Sequence, residues 1–247
     1  MSRLVLFAAL ALAAAAPTPG LAPAEERVLP RRVLFVGNSL TRANDLPAAV
    51  RALFAAGGDR VEVAAVVRDG FSLADHRAEG TAARLLAGSR WDLVVLQQGP
   101  SALPESRVEL VAEARRWGEA IRAAGARPAL YMVWPARDRA FDLPRVVESY
   151  RLAAAASGAL LLPAGEAWRR AMREPRAPAL WGPDGLHPTA AGTYLAALAI
   201  YGAISGRDLA TAPANLELPG APLRLAERTA RRLRAAAAQA LAGETAP

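Results

Sequence analysis

From residue 32 onward, short apolar runs alternate with longer segments in which apolar positions recur every three or four residues. Short runs rich in Val, Leu and Ala are typical of buried parallel strands, and the longer spacing is typical of amphipathic helices. The predicted strands cover residues 33–36, 61–67, 92–97, 129–134 and 159–162. The predicted helices cover residues 46–56, 73–87, 105–124 and 143–156. Helices between successive strands predict an α/β fold, a three-layer α/β/α sandwich around a parallel sheet of about five strands.

The first residues of the chain have a different pattern. A short positive start ends at Arg3, residues 4–16 are an unbroken apolar run, and a Pro17-Thr-Pro-Gly20 break follows. This order is typical of a secretory signal peptide, which we predict at residues 1–22. We expect its cleavage to leave a soluble, secreted or periplasmic protein with no stable membrane anchor. The run is shorter than the roughly 20 residues of a membrane span, and an uncleaved anchor is the alternative.

The rest of the chain is expected to form one domain. Its 247 residues, 53% of them hydrophobic, can bury one sizeable core, and no change of composition marks a second. Residues 23–31 are interpreted as a linker and residues 32–212 as the main folded domain. Residues 213–247 are interpreted as a connector and a helix over residues 223–241 that packs on the domain. A partner-binding or membrane-surface helix is the alternative. The sequence does not fix the oligomeric state.

The charge of the chain comes from one residue type. The formal net charge is +7, and all 30 basic residues are arginine. The arginines are scattered, and no aromatic residues alternate with them as on a nucleic-acid platform. We therefore expect no nucleic-acid partner, although a weak attraction to acidic polymers or membrane surfaces is allowed. The chain has no cysteine, which excludes disulfides and a lipid anchor on cysteine.

A serine, a carboxylate and an imidazole occur where they could form one hydrolytic site. Ser39 follows the first predicted strand, and Asp184 stands three residues before His187. A hydroxyl becomes a nucleophile when a base takes its proton, and a carboxylate can hold the imidazole of that base in the required tautomer. The alternative is that Ser39 belongs to an ordinary turn and Asp184 caps a helix. The other histidine, His76, is expected on the polar side of a helix.

Ser39, Gly70 and the segment Gln97 to Ser101 each lie at the carboxyl end of a predicted strand. In open parallel sheets, ligands bind beyond the carboxyl ends of the strands, so these three strand ends point to one crevice. A backbone N–H at Gly70 suits the binding of an oxyanion, because no side chain there blocks a close approach.

Two sequence blocks resemble those of a known family. Gly37-Asn38-Ser39 resembles the first block of the SGNH or GDSL-like hydrolases, which is usually Gly-Asp-Ser, and Asp184-Gly-Leu-His187 resembles their last block, Asp-x-x-His. The resemblance extends from about residue 33 to residue 204. It implies the SGNH hydrolase fold with a flavodoxin-like sheet and a serine esterase activity. It also implies that Ser39 is the nucleophile, His187 the general base and Asp184 the residue that orients it.

The same resemblance implies an oxyanion hole formed by the backbone N–H groups of Ser39 and Gly70 and by an asparagine after the third strand. The usual block there is Gly-x-Asn-Asp, whereas this chain has Gln97-Gln98-Gly-Pro-Ser101, similar to a branch whose third strand is Leu-Gln-x-Gln. Alignment of the glycines favours Ser101 as the third donor. The amide of Gln98 or Gln97 could occupy the same space, and the choice stays open.

Other chemistries have no matching signature in the sequence. The nucleophile elbow of α/β-hydrolases, Gly-x-Ser-x-Gly, needs a glycine where this chain has Thr41. The two histidines are far apart and there is no cysteine, so no metal signature appears. The first strand is not followed by a Gly-rich dinucleotide loop. No cofactor is expected.

These features together predict an exported serine hydrolase that cleaves carboxylic esters through an acyl-enzyme on Ser39. Export and the resemblance favour short, acetyl-like esters of a small molecule, carbohydrate or cell-envelope glycan. A lipase, lysophospholipase or thioesterase is the alternative among enzymes, and a catalytically silent envelope-binding module is the alternative of another class. Phe71, Trp134 and Trp181 are expected near the crevice, where they would either contact a sugar or acyl chain or fasten the loops.

Overall fold

The computed structural model describes residues 28–245, so the predicted signal peptide and most of the predicted linker lie outside the described residues. The main strands are β1 (Arg32–Gly37), β2 (Glu62–Val67), β3 (Leu93–Leu96), β4 (Arg127–Tyr131) and β5 (Leu160–Leu162). They form one sheet in the order β2-β1-β3-β4-β5, and every neighbouring pair is parallel. This is the flavodoxin-like strand order, as predicted.

Helices cover both faces of the sheet. They are α1 (Ser39–Arg42), α2 (Leu46–Ala56), α3 (Leu73–Glu79), α4 (Thr81–Gly88), α5 (Pro104–Ala123), α6 (Leu143–Ser157), α7 (Ala164–Met172), α8 (Ala190–Ser205) and α9 (Glu227–Thr245). Right-handed crossovers place α2 on one face and α3 to α6 on the other. On the first face, α8 packs against α2, α7 and α9. The predicted three-layer α/β/α sandwich is therefore confirmed.

Besides the single turn α1, two of these helices, α7 and α8, are missing from the sequence prediction. All residues of α8 from Ala191 to Ser205 are buried, so the helix has no polar face and shows no helical period of hydrophobicity. α7 has only nine residues, fewer than the roughly 11–18 over which a helical period can be recognised. Periodicity finds longer helices with one wet face, and these two differ from that type.

The structure corrects several predicted boundaries. The helix predicted over residues 73–87 breaks into α3 and α4 at Gly80, which has a φ of 83°. The last helix starts at Glu227 and not at Leu223, because β7 (Leu223–Arg224) pairs with β6 (Asn215–Leu216) in a small antiparallel hairpin. Helix α9 packs against α7 and α8. Among residues 28–245, no helix combines the length and the apolar character needed to cross a membrane.

The strand order determines where a ligand can bind. The chain leaves β1 toward β2 on one side and leaves β3 toward β4 on the other, so the connections diverge beyond the carboxyl ends of β1 and β3. This is the switch point at which open α/β sheets bind their ligands. Ser39 follows β1 directly, and Gln97 to Ser101 follow β3.

Candidate active site

Ser39 is the first residue of α1 and lies half-buried at the end of β1. Asn38 caps this helix, because its side-chain Oδ1 accepts the backbone N–H of Leu40 at 3.1 Å. The Nδ2 of Asn38 donates to the carbonyl oxygen of Phe71 at 3.1 Å. That bond joins the segment of Ser39 to the loop after β2, which contains Gly70.

The carboxylate of Asp184 organises the loop that contains His187. Its Oδ1 accepts the backbone N–H groups of Leu186 and His187, each at 3.0 Å, and its Oδ2 lies 2.6 Å from Nδ1 of His187. The backbone bond from Leu186, followed by the bond from the His187 ring, lowers the pKa of Asp184 to about 2. Asp184 is therefore an ionised acceptor at neutral pH.

The ionised carboxylate of Asp184 fixes the tautomer of His187. Because the carboxylate can only accept, Nδ1 of His187 must carry the proton that it donates, and Nε2 of the neutral ring keeps its lone pair. The side chain of His187 is 38% exposed, yet its Nε2 atom is buried and has no hydrogen-bond partner within residues 28–245. The ring thus turns a free basic nitrogen toward the protein.

Two contacts tie the segment of Ser39 to its neighbouring loops. Asn44, five residues after Ser39, donates from Nδ2 to the carbonyl oxygen of Pro188, next to His187, and to Oγ1 of Thr193, both at 2.9 Å. Arg42, three residues after Ser39, forms a bidentate bond with Asp69 and lowers the pKa of that carboxyl group. Asp69 precedes Gly70, so this ion pair joins α1 to the loop after β2.

Gly70 is required by its backbone conformation. Its φ is 75°, in the left-handed region that favours glycine, and a Cβ built there would meet no heavy atom within 4 Å. The space around it is open, so the reason for glycine at this position is the turn and not crowding against protein atoms.

The candidates for the third oxyanion donor lie next to each other. Gln98 is buried, its Oε1 accepts the backbone N–H of Leu73 at 3.0 Å, and its Nε2 lies 3.4 Å from Oγ of Ser101. Ser101 has a φ of 56°, and its hydroxyl contacts the carbonyl oxygen of Gly99 at 3.2 Å. The hydroxyl of Tyr150 holds this loop through the carbonyl oxygens of Gln98 and Gly99, at 2.7 and 3.0 Å. Both Ser101 and Gln98 remain candidates.

The aromatic residues fasten the His187 loop. Trp134 stacks on Trp168 with ring centroids 3.6 Å apart, and Trp181 meets Trp168 edge-on at 5.0 Å. The indole N–H of Trp134 donates to the carbonyl oxygen of Leu186 at 3.1 Å, and that of Trp181 donates to the carbonyl oxygen of Pro135 at 3.0 Å. Of the two roles expected for these tryptophans, the contacts favour fastening of the loop. Phe71 lies edge-on to His76 at 5.2 Å.

His76 differs from the sequence prediction. It is fully buried, and its Nε2 lies 2.8 Å from the carbonyl oxygen of Gly37, two residues before Ser39. A carbonyl oxygen only accepts, so the Nε2 of His76 carries the proton. Burial lowers the pKa of His76 and keeps it neutral. The pattern of apolar and polar residues could not predict the burial of His76, because it depends on a hydrogen bond to a carbonyl oxygen at the end of β1.

Within the described residues, no group of three or more His, Cys, Asp or Glu side chains is placed to hold a metal ion.

No family model matches the sequence, and no curated protein matches it either. Solved structures do. A protein from Slackia heliotrinireducens classed among the SGNH hydrolases is 33% identical, with a TM-score of 0.59 over 69% of this chain and 96% of that one. A lipase/acylhydrolase from Enterococcus faecalis is 19% identical, with a TM-score of 0.58 over 77% and 100% of the two chains. An acetyl xylan esterase from Geobacillus stearothermophilus is 17% identical, with a TM-score of 0.56 over 70% and 94%.

The two more distant structures show the same fold. The Slackia protein shows more, because its 33% identity extends over 96% of its own length. With the sheet order and the site at its switch point, this likeness decides the classification: the chain belongs to the SGNH hydrolase family and is a hydrolase that acts on ester bonds.

Proposed function

We propose that the protein is a serine esterase in which Ser39 is the nucleophile, His187 the general base and Asp184 the residue that orients His187. One observation carries the proposal. The Asp184–His187 pair leaves a buried, unpartnered Nε2 on a loop that Asn44, five residues after Ser39, holds through the carbonyl oxygen of Pro188. A base of this kind, held in one tautomer by an ionised carboxylate, is what a serine hydroxyl needs to become a nucleophile.

In the proposed reaction, the Oγ of Ser39 attacks the ester carbonyl while Nε2 of His187 takes its proton. The backbone N–H groups of Ser39 and Gly70 bind the oxyanion, together with a third donor from Ser101 or Gln98. The tetrahedral intermediate collapses, and His187 gives its proton to the leaving alcohol. Water then loses a proton to His187 and attacks the acyl-enzyme, and the second intermediate collapses to the acid as His187 returns that proton to Oγ of Ser39.

For the substrate, we propose short acyl esters of a small molecule or glycan in the cell envelope. The fold shared with an acetyl xylan esterase supports this class, and the sequence pattern of residues 1–22 supports export to the periplasm or medium. The second candidate is a lipase or thioesterase activity on longer acyl chains, which the lipase/acylhydrolase neighbour favours.

The test is hydrolysis of nitrophenyl esters from acetate to decanoate by the protein without residues 1–22. Ser39→Ala and His187→Ala are expected to lower kcat at least about 10³-fold, because each removes a group that the chemical step requires. Ser157→Ala is the matched control, since Ser157 is a buried serine near the end of α6, far along the chain from the site.

Three outcomes separate the candidate functions. Preference for acetate, together with release of acetate from acetylated oligosaccharides, supports the glycan esterase. Preference for octanoate or decanoate supports the lipase or thioesterase. No turnover of any ester, or turnover that Ser39→Ala leaves unchanged, contradicts the serine esterase and favours a catalytically silent binding module.

A further inference from the structure

The side chain of Gln97 is buried at the end of β3 and has every hydrogen-bonding position filled. Its Oε1 accepts the backbone N–H of Asn38 at 2.9 Å and the hydroxyl of Thr41 at 2.7 Å. Its Nε2 donates to Oδ1 of Asn38 at 3.0 Å and to the carbonyl oxygen of Gln98 at 2.7 Å. Gln97 is fully buried, Thr41 is 1% exposed and Asn38 is 8% exposed. We call Gln97, Asn38 and Thr41 the amide clamp.

The backbone fixes the orientation of both amides in this clamp. The N–H of Asn38 can only donate and the carbonyl of Gln98 can only accept, so Oε1 and Nε2 of Gln97 cannot exchange places. In Asn38, Oδ1 must accept the N–H of Leu40, and Nδ2 must donate to the carbonyl of Phe71. A carboxylate at either position would set an acceptor against an acceptor. The clamp therefore requires an amide at both 38 and 97.

The clamp also explains the glycine before it. A Cβ at Gly37 would lie 2.5 Å from Oε1 of Gln97 and 2.5 Å from Oγ1 of Thr41, closer than real Cβ contacts allow. On the opposite side, His76 donates to the carbonyl oxygen of Gly37. The peptide that leads into Ser39 is thus held on two sides, and all of its buried polar groups are paired.

We infer that Gln97 is a positioning residue that fixes the nucleophile Ser39 through the amide clamp, and that the amides at 38 and 97 form one coupled unit. The inference rests on the proposed role of Ser39. Both N–H bonds of the Gln97 amide donate within the clamp, so Gln97 does not serve as the third oxyanion donor. Its effect reaches the reaction through the N–H and Oγ of Ser39. A shift of these atoms alters the chemical step more than the binding of an ester.

The test compares two variants of Gln97. Gln97→Glu keeps both acceptor bonds and loses both donor bonds, whereas Gln97→Met loses all four. Each is expected to lower kcat about tenfold to a hundredfold, with KM changed less than about threefold. As the pH is lowered, the kcat of Gln97→Glu relative to the unaltered protein should rise, because a protonated carboxyl group can donate to Asn38 again. The relative kcat of Gln97→Met should stay flat.

Three further variants keep the result interpretable. Thr41→Val removes a single clamp bond with little change of shape, and should lower kcat by less than the Gln97 variants. Asn38→Asp introduces the acid that is usual in the family, and should lower kcat because its carboxylate faces the carbonyl of Phe71. Leu233→Ala truncates a buried side chain of α9, far from the clamp in the chain. It is the control for a general loss of thermal stability and should leave kcat unchanged.

Hydrogen exchange tests the clamp without any ester. The backbone amide of Asn38 should exchange slowly in the unaltered protein and about tenfold or more faster in Gln97→Met. Unchanged exchange at Asn38 would overturn the clamp. If esters are hydrolysed and both Gln97 variants keep full kcat, the positioning role is wrong while the esterase proposal stands. If no ester is hydrolysed, the esterase proposal fails and the exchange result alone judges the clamp.

Discussion

The tautomer of His187 depends on two backbone N–H groups that do not touch the ring. They bind Oδ1 of Asp184, hold the carboxylate ionised and aim Oδ2 at Nδ1 of His187. The spacing of three residues is what lets one side chain accept from the loop and from the ring at the same time. The sequence could predict the pair, because the spacing is local. It could not predict the burial of Nε2, which depends on loops distant in the chain.

Asp184→Asn tests this arrangement. The amide can still accept from the loop with one atom, but its NH₂ group would face Nδ1 and favour the tautomer in which Nε2 carries the proton and cannot act as a base. We expect kcat to fall roughly 10³- to 10⁴-fold, with little change in thermal stability. Steady-state kinetics and a melting curve on the same preparation check it. A variant with more than a tenth of the original kcat would contradict the role of Asp184.

His76 should make the stability of the fold depend on pH. Burial lowers its pKa below the ordinary value of 6.5, so below pH 6.5 the unfolded chain binds a proton that the folded chain resists. The contribution to the free energy of unfolding is complete above pH 6.5 and is lost as the pH falls toward the folded pKa. Glu79 and Asp75 oppose the shift and Arg68 supports it.

In His76→Gln the neutral amide can donate to the carbonyl of Gly37 without titrating. Melting temperatures measured between about pH 7 and about pH 5 should therefore fall less steeply in the variant than in the unaltered protein. Parallel curves for the two proteins would show that His76 does not control this range.

At the scale of elements, the sequence predicted what local periodicity can express. Most elements lie close to their predicted positions, because each is either a short apolar strand or a helix with one buried and one exposed face. These elements are β1 to β5, α2, α5 and α6. α8 lacks such a contrast because it is buried all round. The break at Gly80 depends on a left-handed C-cap, and the apolar period of the sequence continues from α3 into α4 without showing it.

Trp134→Phe tests the fastening of the His187 loop by its neighbours. Phenylalanine keeps an aromatic ring against Trp168 but leaves the carbonyl of Leu186 unpaired, at a cost of about 1–3 kcal/mol. Because Leu186 adjoins His187, kcat should also fall, by about tenfold. Trp91→Phe is the matched control: its N–H donates to the carbonyl of Leu85 at 3.1 Å, and it precedes β3, at the opposite end of that strand from Gln97. It should lose similar stability and keep full kcat.

For the whole molecule, the parallel topology explains why part of the site can be inferred from residues that lie far apart in the chain. Ser39 follows β1, Gly70 follows β2 and Gln98 follows β3, and parallel strands bring these ends to one edge. Topology predicts that residues meet, but not which hydrogen bonds they form. The amide clamp of Gln97 became visible only with the side chains in place, since two adjacent glutamines look alike in the sequence.

The C-terminal helix also belongs to the argument at this scale. The apolar face of α9 is buried, including Ala237 at 0% exposure, while Ala235 two residues earlier is exposed. If α9 is part of the fold, Ala237→Asp buries a carboxylate against α7 or α8 and should lower the free energy of unfolding by several kcal/mol. Ala235→Asp makes the same chemical change in water and should cost less than about 0.5 kcal/mol.

Chemical denaturation of both variants separates the two roles considered for this helix. A large loss for Ala237→Asp alone means that α9 is a stable part of the fold and covers α8, which is buried on every side. Equal, small losses for both variants would mean that α9 detaches at little cost, as a partner-binding or membrane-surface helix must. Because α8 follows the His187 loop directly, the first result would also make ester hydrolysis by Ala237→Asp more sensitive to heat than that by Ala235→Asp.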